Sequence, residues 1–229
     1  MNIAIIPARA GSKRIPRKNI KAFHGAPIIF YSIKEALESG CFDKVIVSTD
    51  DREIAEIAAQ YGAEVPFIRP SDISDDYATT LDVIQHAVKW YLDSGYVLDK
   101  VCCIYATAPF VSSESIKNAL STLNADDLLD YVFSATSYAF PIQRALFMRE
   151  DKTVQMFQPE NFNSRSQDLP EAYHDAGQFY WGTVDAFLNK RPIFGDRSKI
   201  ELLPRKYVQD IDTPEDWELA EALFKVMKC

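Results

Sequence analysis

Short apolar runs recur along this chain, each followed by an amphipathic stretch, and that alternation constrains the fold more than any other feature. "IAII" (Ile3 to Ile6), "KVIVST" (Lys44 to Thr49), "KVCCIYA" (Lys100 to Ala106) and "DYVFSAT" (Asp130 to Thr136) are apolar on successive residues rather than alternate ones. Strands buried on both faces of a sheet read this way. Between them, Ile28, Tyr31 and Leu37 recur near helical spacing before Gly40, and Ile54, Ile57, Ala58 and Tyr61 form a stripe ending at Gly62. A third helix is expected from Thr80 to Leu92 and a fourth from Ser112 or Ser113 to about Leu123. The pattern predicts an α/β fold built on a doubly wound, mostly parallel sheet.

Further strands are expected in "EVPFI", "AGQFYWG" (Ala176 to Gly182), "KIELL" and "YVQDID". A closing helix is signalled by Thr213 as N-cap, Pro214 as first helical residue and Glu215 and Asp216 in the first turn. Residues 138–172 break the rhythm: Pro141, Pro159 and Pro170 stand among scattered aromatics without helical spacing. This stretch reads as an arm inserted into a single domain spanning residues 1–229.

The 229 residues carry a formal net charge of -8, yet Met1 to Lys34 contains no acidic residue. An acidic molecule repels polyanions on average, which argues against general affinity for nucleic acid or anionic membrane and leaves room only for a local basic site. The N-terminal apolar run is too short for a signal peptide, and no run approaches the roughly 18 apolar residues of a membrane span, so the expected location is cytoplasmic. Cys41, Cys102, Cys103 and Cys229 lack CxxC spacing and read as free, buried thiols, with Cys102 and Cys103 on opposite faces of one strand. His24, His86 and His174 show no zinc-ligand spacing.

The basic residues concentrate in "PARAGSKRIPRKN" (Pro7 to Asn19), the loop after the first strand. Ligands of open parallel sheets settle outside the carboxyl ends of the strands, where this loop must lie. It lacks the glycines and terminal Lys-Ser/Thr of a Walker A loop, and no GxGxxG occurs, so cationic side chains such as Arg9 and Lys18 would neutralise a triphosphate instead. A solvated basic loop is the plainer alternative. A second constellation, "QDIDTPED", sets Asp210 and Asp212 two apart in a strand-like run, on one face; a carboxylate pair without His or Cys suits Mg²⁺, which binds a few carboxylates plus substrate phosphates. Its plainer reading is a helix cap. "RPSDISDDYATT" carries Arg69, Asp75, Asp76, Thr79 and Thr80 where a strand ends, and could equally be a capped helix start. "YHDAGQFYWG" carries His174, Asp175, Gln178 and Tyr180, either a sugar-binding wall or core.

Taken in chain order, with the aspartate pair last, those four motifs resemble the cytidylyltransferases that activate nine-carbon acidic sugars, over nearly the whole chain. The first resembles that family's LARxxSKxxxxKN loop, and "YHDAG" and "RPIF" are most similar to its pseudaminic acid branch. The resemblance implies a nucleotide-diphospho-sugar transferase-like, Rossmann-like fold and transfer of CMP from CTP to the sugar with Mg²⁺. It implies nucleotide contacts from Arg9, Ala10, Gly11, Ser12, Lys18, Asn19, Arg69, Asp76, Thr79 and Thr80, and metal binding by Asp210 and Asp212. Arg9, Lys18, Asp210 and Asp212 would carry the catalysis, Asp210 as candidate proton acceptor. Tyr105, Arg165, His174, Asp175, Gln178 and Tyr180 are the expected sugar contacts, with Arg165 reaching from the arm into a partner's site in a homodimer. Tyr105 in "CIYATAP" replaces the Gln of sialic acid enzymes. Sialic acid, legionaminic acid and an eight-carbon keto acid stay open as alternative sugars, and a non-catalytic nucleotide- or sugar-binding module as an alternative of another class.

Overall fold

The computed structural model describes residues 1–75 and 77–227. Asp76 and Cys229, both singled out in the sequence, lie outside the described residues. Six strands form the central sheet: β1 (Ile3–Pro7), β4 (Lys44–Ser48), β5 (Lys100–Ile104), β6 (Tyr131–Ser137), β9 (Tyr173–Thr183) and β10 (Ser198–Leu202). A small hairpin, β2 (Ala22–Phe23) and β3 (Ala26–Pro27), and a second, β7 (Leu146–Met148) and β8 (Val154–Met156), stand apart from it. The order across the sheet is β10-β6-β9-β5-β1-β4. β1 pairs in parallel with β4 and β5, and β10 with β6, while β9 runs antiparallel to both neighbours.

Helices cover both faces, as the continuous apolar strands require. On one face α1 (Ile29–Ser39), α2 (Arg52–Gln60) and α4 (Ser113–Asn124) bury Ile33, Ile54 and Ile116 against Ala4, Ile6, Cys102 and Trp181. On the other, α3 (Thr80–Asp93) and α5 (Val184–Leu188) bury Ile84, Val88 and Phe187 against Ile3, Ile5, Cys103 and Tyr180. Successive residues of β1 and β5 thus enter opposite cores, which is why neither strand alternates in polarity. Cys102 and Cys103 do lie on opposite faces, and burial pushes both thiols well above the usual cysteine range. Cys41, Cys102 and Cys103 are free thiols. His86 packs edge-on to Phe67, its ring centroid 4.7 Å away.

A third cluster decides where the functional loops go. α6 (Pro214–Met227) packs Trp217, Ala220 and Phe224 against Phe23, Ile28, Tyr31 and Phe110, and the same cluster takes in Ile15 and Ile211. Each of these isoleucines interrupts one of the charged motifs, and both are almost fully buried. At about 1.5–3 kcal/mol for each fully buried side chain, the pair is strong enough to hold its flanking charges in place. Lys21 adds its ammonium 4.2 Å above the Trp217 ring.

Two expected strands are absent as strands. "EVPFI" makes only isolated bridges, Ile46 to Glu64 and Thr49 to Ile68. "YVQDID" is a 3-10 turn at Arg205–Tyr207 followed by irregular chain, in which the Ile211 carbonyl accepts from a lysine instead of joining a ladder. Residues 138–172, the expected arm, leave the sheet between β6 and β9 and hold the β7–β8 hairpin and three 3-10 turns. Within them Phe140, Met148 and Phe162 expose 82%, 69% and 69% of their surface.

Candidate functional site

An open cleft of about 550 Å³ lies at the carboxyl ends of β1 and β5, where the topology leads a ligand to be expected. Its lining includes Arg9, Ser12, Lys13, Arg14, Lys18 and Asn19 from the first loop. Arg69, Asp75, Ala78 and Thr80 come from the segment leading into α3, Tyr105 to Thr107 from the end of β5, and Asp212 from the last loop.

The first loop is held open as a cradle of side chains. Asn19 Nδ2 donates to the Arg9 carbonyl at 2.9 Å, and Arg9 reaches across the cleft to the Asp75 carbonyl at 2.9 Å. The Ala10 N–H goes to Asp50 Oδ1 at 3.0 Å and the Ser12 N–H to the Ala10 carbonyl at 2.9 Å. Two of the amides that an "AGS" turn might have offered an anion are therefore used inside the protein, and the cationic side chains face the cleft in their place. Arg17 takes a left-handed conformation, φ 53°, which turns the chain into the 3-10 segment Lys18–Ile20.

The basic loop and the acidic motif, some 200 residues apart in sequence, meet directly. Lys18 Nζ donates to the Ile211 carbonyl at 2.6 Å and to Asp212 Oδ1 at 3.2 Å, while Arg14 donates to Asp212 Oδ2 at 2.7 Å. Asp210 is not among the lining residues, but it stands near enough for Asp212 to matter. Burial of its carboxyl, reinforced by the Asp212 charge, pushes the Asp210 pKa up, although the residue as a whole is exposed. Thr213 serves as the N-cap read from the sequence: its hydroxyl accepts from the Asp216 N–H at 3.2 Å, and Asp216 Oδ2 accepts from the Thr213 N–H at 2.7 Å.

Arg69 is the most buried cation of the cleft, 4% exposed. Its Nε donates to Ser74 Oγ at 3.1 Å, and an Nη lies 3.8 Å from Asp50 Oδ1. Burial pulls its pKa down, which the Asp50 charge opposes and the Arg9 charge reinforces. Thr80 Oγ1 and Tyr105 Oη are 3.3 Å apart on the cleft wall. Behind Tyr105, at 5.5 Å between ring centroids, lies Tyr180, whose hydroxyl donates to Asp175 Oδ2. Desolvation, then Tyr105 and Asp175, raise the Tyr180 phenol far above its usual value.

The structure thus gathers Arg9, Ser12, Lys18, Asn19, Arg69, Thr80, Tyr105 and Asp212 around one cavity. It does not bring Ala10, Gly11, Thr79, Asp210, Arg165, His174, Asp175, Gln178 or Tyr180 to that lining. Thr79 is occupied as the cap of α3, exchanging hydrogen bonds with Asp82 in a capping box. Gln178 sits in a bulge: the β6–β9 register shifts between Phe133 and Ala135, Gly177 adopts φ +62°, and Ser134 Oγ accepts from the amides of Gln178 and Phe179. Its Nε2 donates to the Tyr207 carbonyl at 2.5 Å, and its buried Oε1 has no partner. His174 packs edge-on to Tyr138 at the root of the arm, and Arg165 is exposed. Sequence reading passed over Asp50, and it named Lys13, Arg14 and Asp75 only as members of their motifs, without a role at the site. Arg14 was legible as part of the basic run, whereas Asp50 and Asp75 matter only through loops that fold against them.

The chain matches the family model described as cytidylyltransferase over residues 3–228. It is 48% identical over 225 residues to the pseudaminic acid cytidylyltransferase of Campylobacter jejuni, covering 98% of this chain and 97% of that one. It is 31% identical over 227 residues to the CMP-N,N'-diacetyllegionaminic acid synthase of Legionella pneumophila, covering 98% and 96%. Among solved structures, CMP:2-keto-3-deoxy-manno-octonic acid synthetase complexed with CTP superposes with a TM-score of 0.71 at 16% identity, covering 99% of both chains. That last likeness concerns the fold.

Proposed function

The chain belongs to the cytidylyltransferase family and is a nucleotidyltransferase, and on that premise we propose that it joins CTP to pseudaminic acid, giving CMP-pseudaminic acid and pyrophosphate. The observation that carries the reading is the meeting of Lys18 with Asp212 in a cleft that also holds buried Arg69. Cationic side chains that would take a triphosphate and one carboxylate, Asp212, that would take its counter-ion share one cavity.

In the reaction the anomeric hydroxyl attacks the α-phosphorus in line; the bond from that phosphorus to the β-bridging oxygen breaks, and the hydroxyl proton leaves to a base, for which Asp210 is the candidate. Positioning and charge neutralisation are most of what such a transfer needs. Arg9, Lys13 and Lys18 would hold the triphosphate and steady the negative charge growing on pyrophosphate. Thr80 and Tyr105, which also line the cleft, would orient the cytidine and the sugar.

Among the described residues, no group of three or more His, Cys, Asp or Glu side chains could hold a metal alone. Two aspartates with phosphate oxygens nonetheless make a hard oxygen set that fits Mg²⁺. A bound triphosphate would compete for Lys18 and Arg14 and so free Asp212, which with Asp210 would hold the ion; when bound, it supplies charge neutralisation at the phosphates. The apolar arm, residues 138–172, supports a homodimer in which Arg165 approaches the partner's sugar. No helix among the described residues is long and apolar enough to cross a membrane, in keeping with a cytoplasmic enzyme fed by cytosolic CTP.

Pyrophosphate release from CTP and Mg²⁺ with pseudaminic, sialic and legionaminic acids in turn tests the proposal. Turnover with pseudaminic acid, lost in Asp212→Asn while the melting temperature holds, is expected. Turnover with sialic acid alone would overturn the sugar, and an active Asp212→Asn would overturn the metal site.

A further inference from the structure

Asp50 lies outside the cleft lining, yet it touches both halves of the cationic wall. It follows β4, and its Oδ1 accepts the Ala10 N–H at 3.0 Å and stands 3.8 Å from a nitrogen of Arg69. The backbone binds the two halves at the same level: the Arg69 N–H donates to the Thr49 carbonyl at 2.7 Å, and the Ala8 N–H to the Ser48 carbonyl at 2.9 Å. One carboxylate thus bridges the first loop and the segment before α3, at the place where the side chain of Arg69 is 2% exposed.

We infer that Asp50 is a positioning residue for nucleotide binding: it fixes the Arg9–Ser12 turn and aims the buried Arg69 guanidinium into the cleft, without touching the ligand. A carboxylate behind a phosphate cleft opposes anion binding by charge alone, so its presence needs a compensating role. Arg69 supplies the reason. An arginine this buried, with Arg9 nearby, needs a fixed counter-charge to offset its desolvation and hold one orientation, and Asp50 is the carboxylate whose charge acts on it. A hydrogen bond to a charged group gives the Ala10 turn more order than a neutral acceptor would.

The inference rests on the nucleotide reading of the cleft, and the experiment separates the two. CTP is titrated by calorimetry into the full-length parent, Asp50→Asn, Asp50→Ala and Asp50→Glu, followed by initial rates with varied CTP and varied pseudaminic acid. Asp50→Asn keeps an acceptor for Ala10 but loses the charge at Arg69, and its Kd and KM for CTP are expected to rise about tenfold. Its kcat and its KM for the sugar are expected to stay within about threefold. Asp50→Ala loses both contacts and should weaken CTP further, while Asp50→Glu recovers part of the loss.

Because deleting a negative charge beside an anion site would by Coulomb's law tighten CTP, a lower or unchanged Kd in Asp50→Asn overturns the inference. So does a uniform fall of kcat with melting temperature and no change specific to CTP, the mark of a merely structural residue. A parent that binds no CTP overturns the nucleotide reading and this inference with it; a parent that binds while the variants match it overturns this inference alone.

Discussion

Replacing Lys18 by methionine keeps the length of the side chain and removes its charge, which separates its contacts in the fold from the phosphate role proposed for it. In the fold, Lys18 holds the Ile211 carbonyl and one oxygen of Asp212. Arg14 holds the other oxygen of Asp212, and Ile211 stays buried with Trp217 and Ile15, so the last loop keeps most of its anchors. Since the Asp212 side chain is 39% exposed, screening reduces the ion pair, and the lost stability is about 1 kcal/mol. For a chain of this size that lowers the melting temperature by about 2–4 °C.

Toward a bound triphosphate, on the proposed reading, the same ammonium would make charge-assisted contacts worth about 1.5–3 kcal/mol, so kcat/KM for CTP should fall roughly tenfold to 150-fold. Pyrophosphate release measured beside a thermal melt reads both numbers from one preparation. A kcat/KM within about threefold of the parent would refute the phosphate role. A melting temperature lower by more than about 10 °C would instead make Lys18 a clamp of the fold.

Other consequences follow from single features. A Cβ at residue 182 would lie 2.6 Å from the Tyr131 ring and 2.7 Å from that of Phe187, both buried, so Gly182→Ala should cost about 2–3 kcal/mol in urea unfolding; an unchanged midpoint would contradict the packing. Asp82 is held down to about 2, first by its hydrogen bond from Lys190 and then by those from Thr79. Its folded pKa lies below its unfolded one, so the stabilisation is present above pH 4 and disappears as pH falls toward 2. With the exposure of Lys190 discounted this is about 1 kcal/mol, and Asp82→Asn should flatten that part of the stability profile, a result that an unaltered profile would rule out. Light scattering should find a dimer at micromolar concentration and a monomer for Phe140→Ser combined with Phe162→Ser; a monomeric parent would remove the role given to the arm.

The alternation of apolar strands and amphipathic helices was legible because each element carries its own period. β1 and β5 bury successive residues in two cores, and that requirement is written into "IAII" and "KVCCI" residue by residue. α6 likewise announces its start through Thr213, Pro214 and Asp216. The elements misjudged are those whose form depends on a distant partner. "YVQDID" has strand-like composition, but Lys18 and the third cluster claim Ile211 before any ladder can. The antiparallel insertion of β9 and its bulge at Gly177 rest on Ser134, about 40 residues earlier, doing the pairing that backbone would otherwise do. The site was legible as chemistry: a basic loop in an acidic molecule and two spaced aspartates name the kinds of ligand they can take.

By itself, then, the sequence determined the class of fold and the presence of a cationic loop and an acidic pair, since these reside in residue type and local spacing; the family came from the resemblance of its ordered motifs. Only the tertiary structure decided that Lys18 meets Asp212, that Thr79 is spent on a helix cap and that Asp50 stands behind Arg69. The reason is that a charge has no direction until something holds it. Here the burial of Ile15 and Ile211 in one apolar cluster, a contact between residues about 200 apart, turns two charged motifs toward the same cleft.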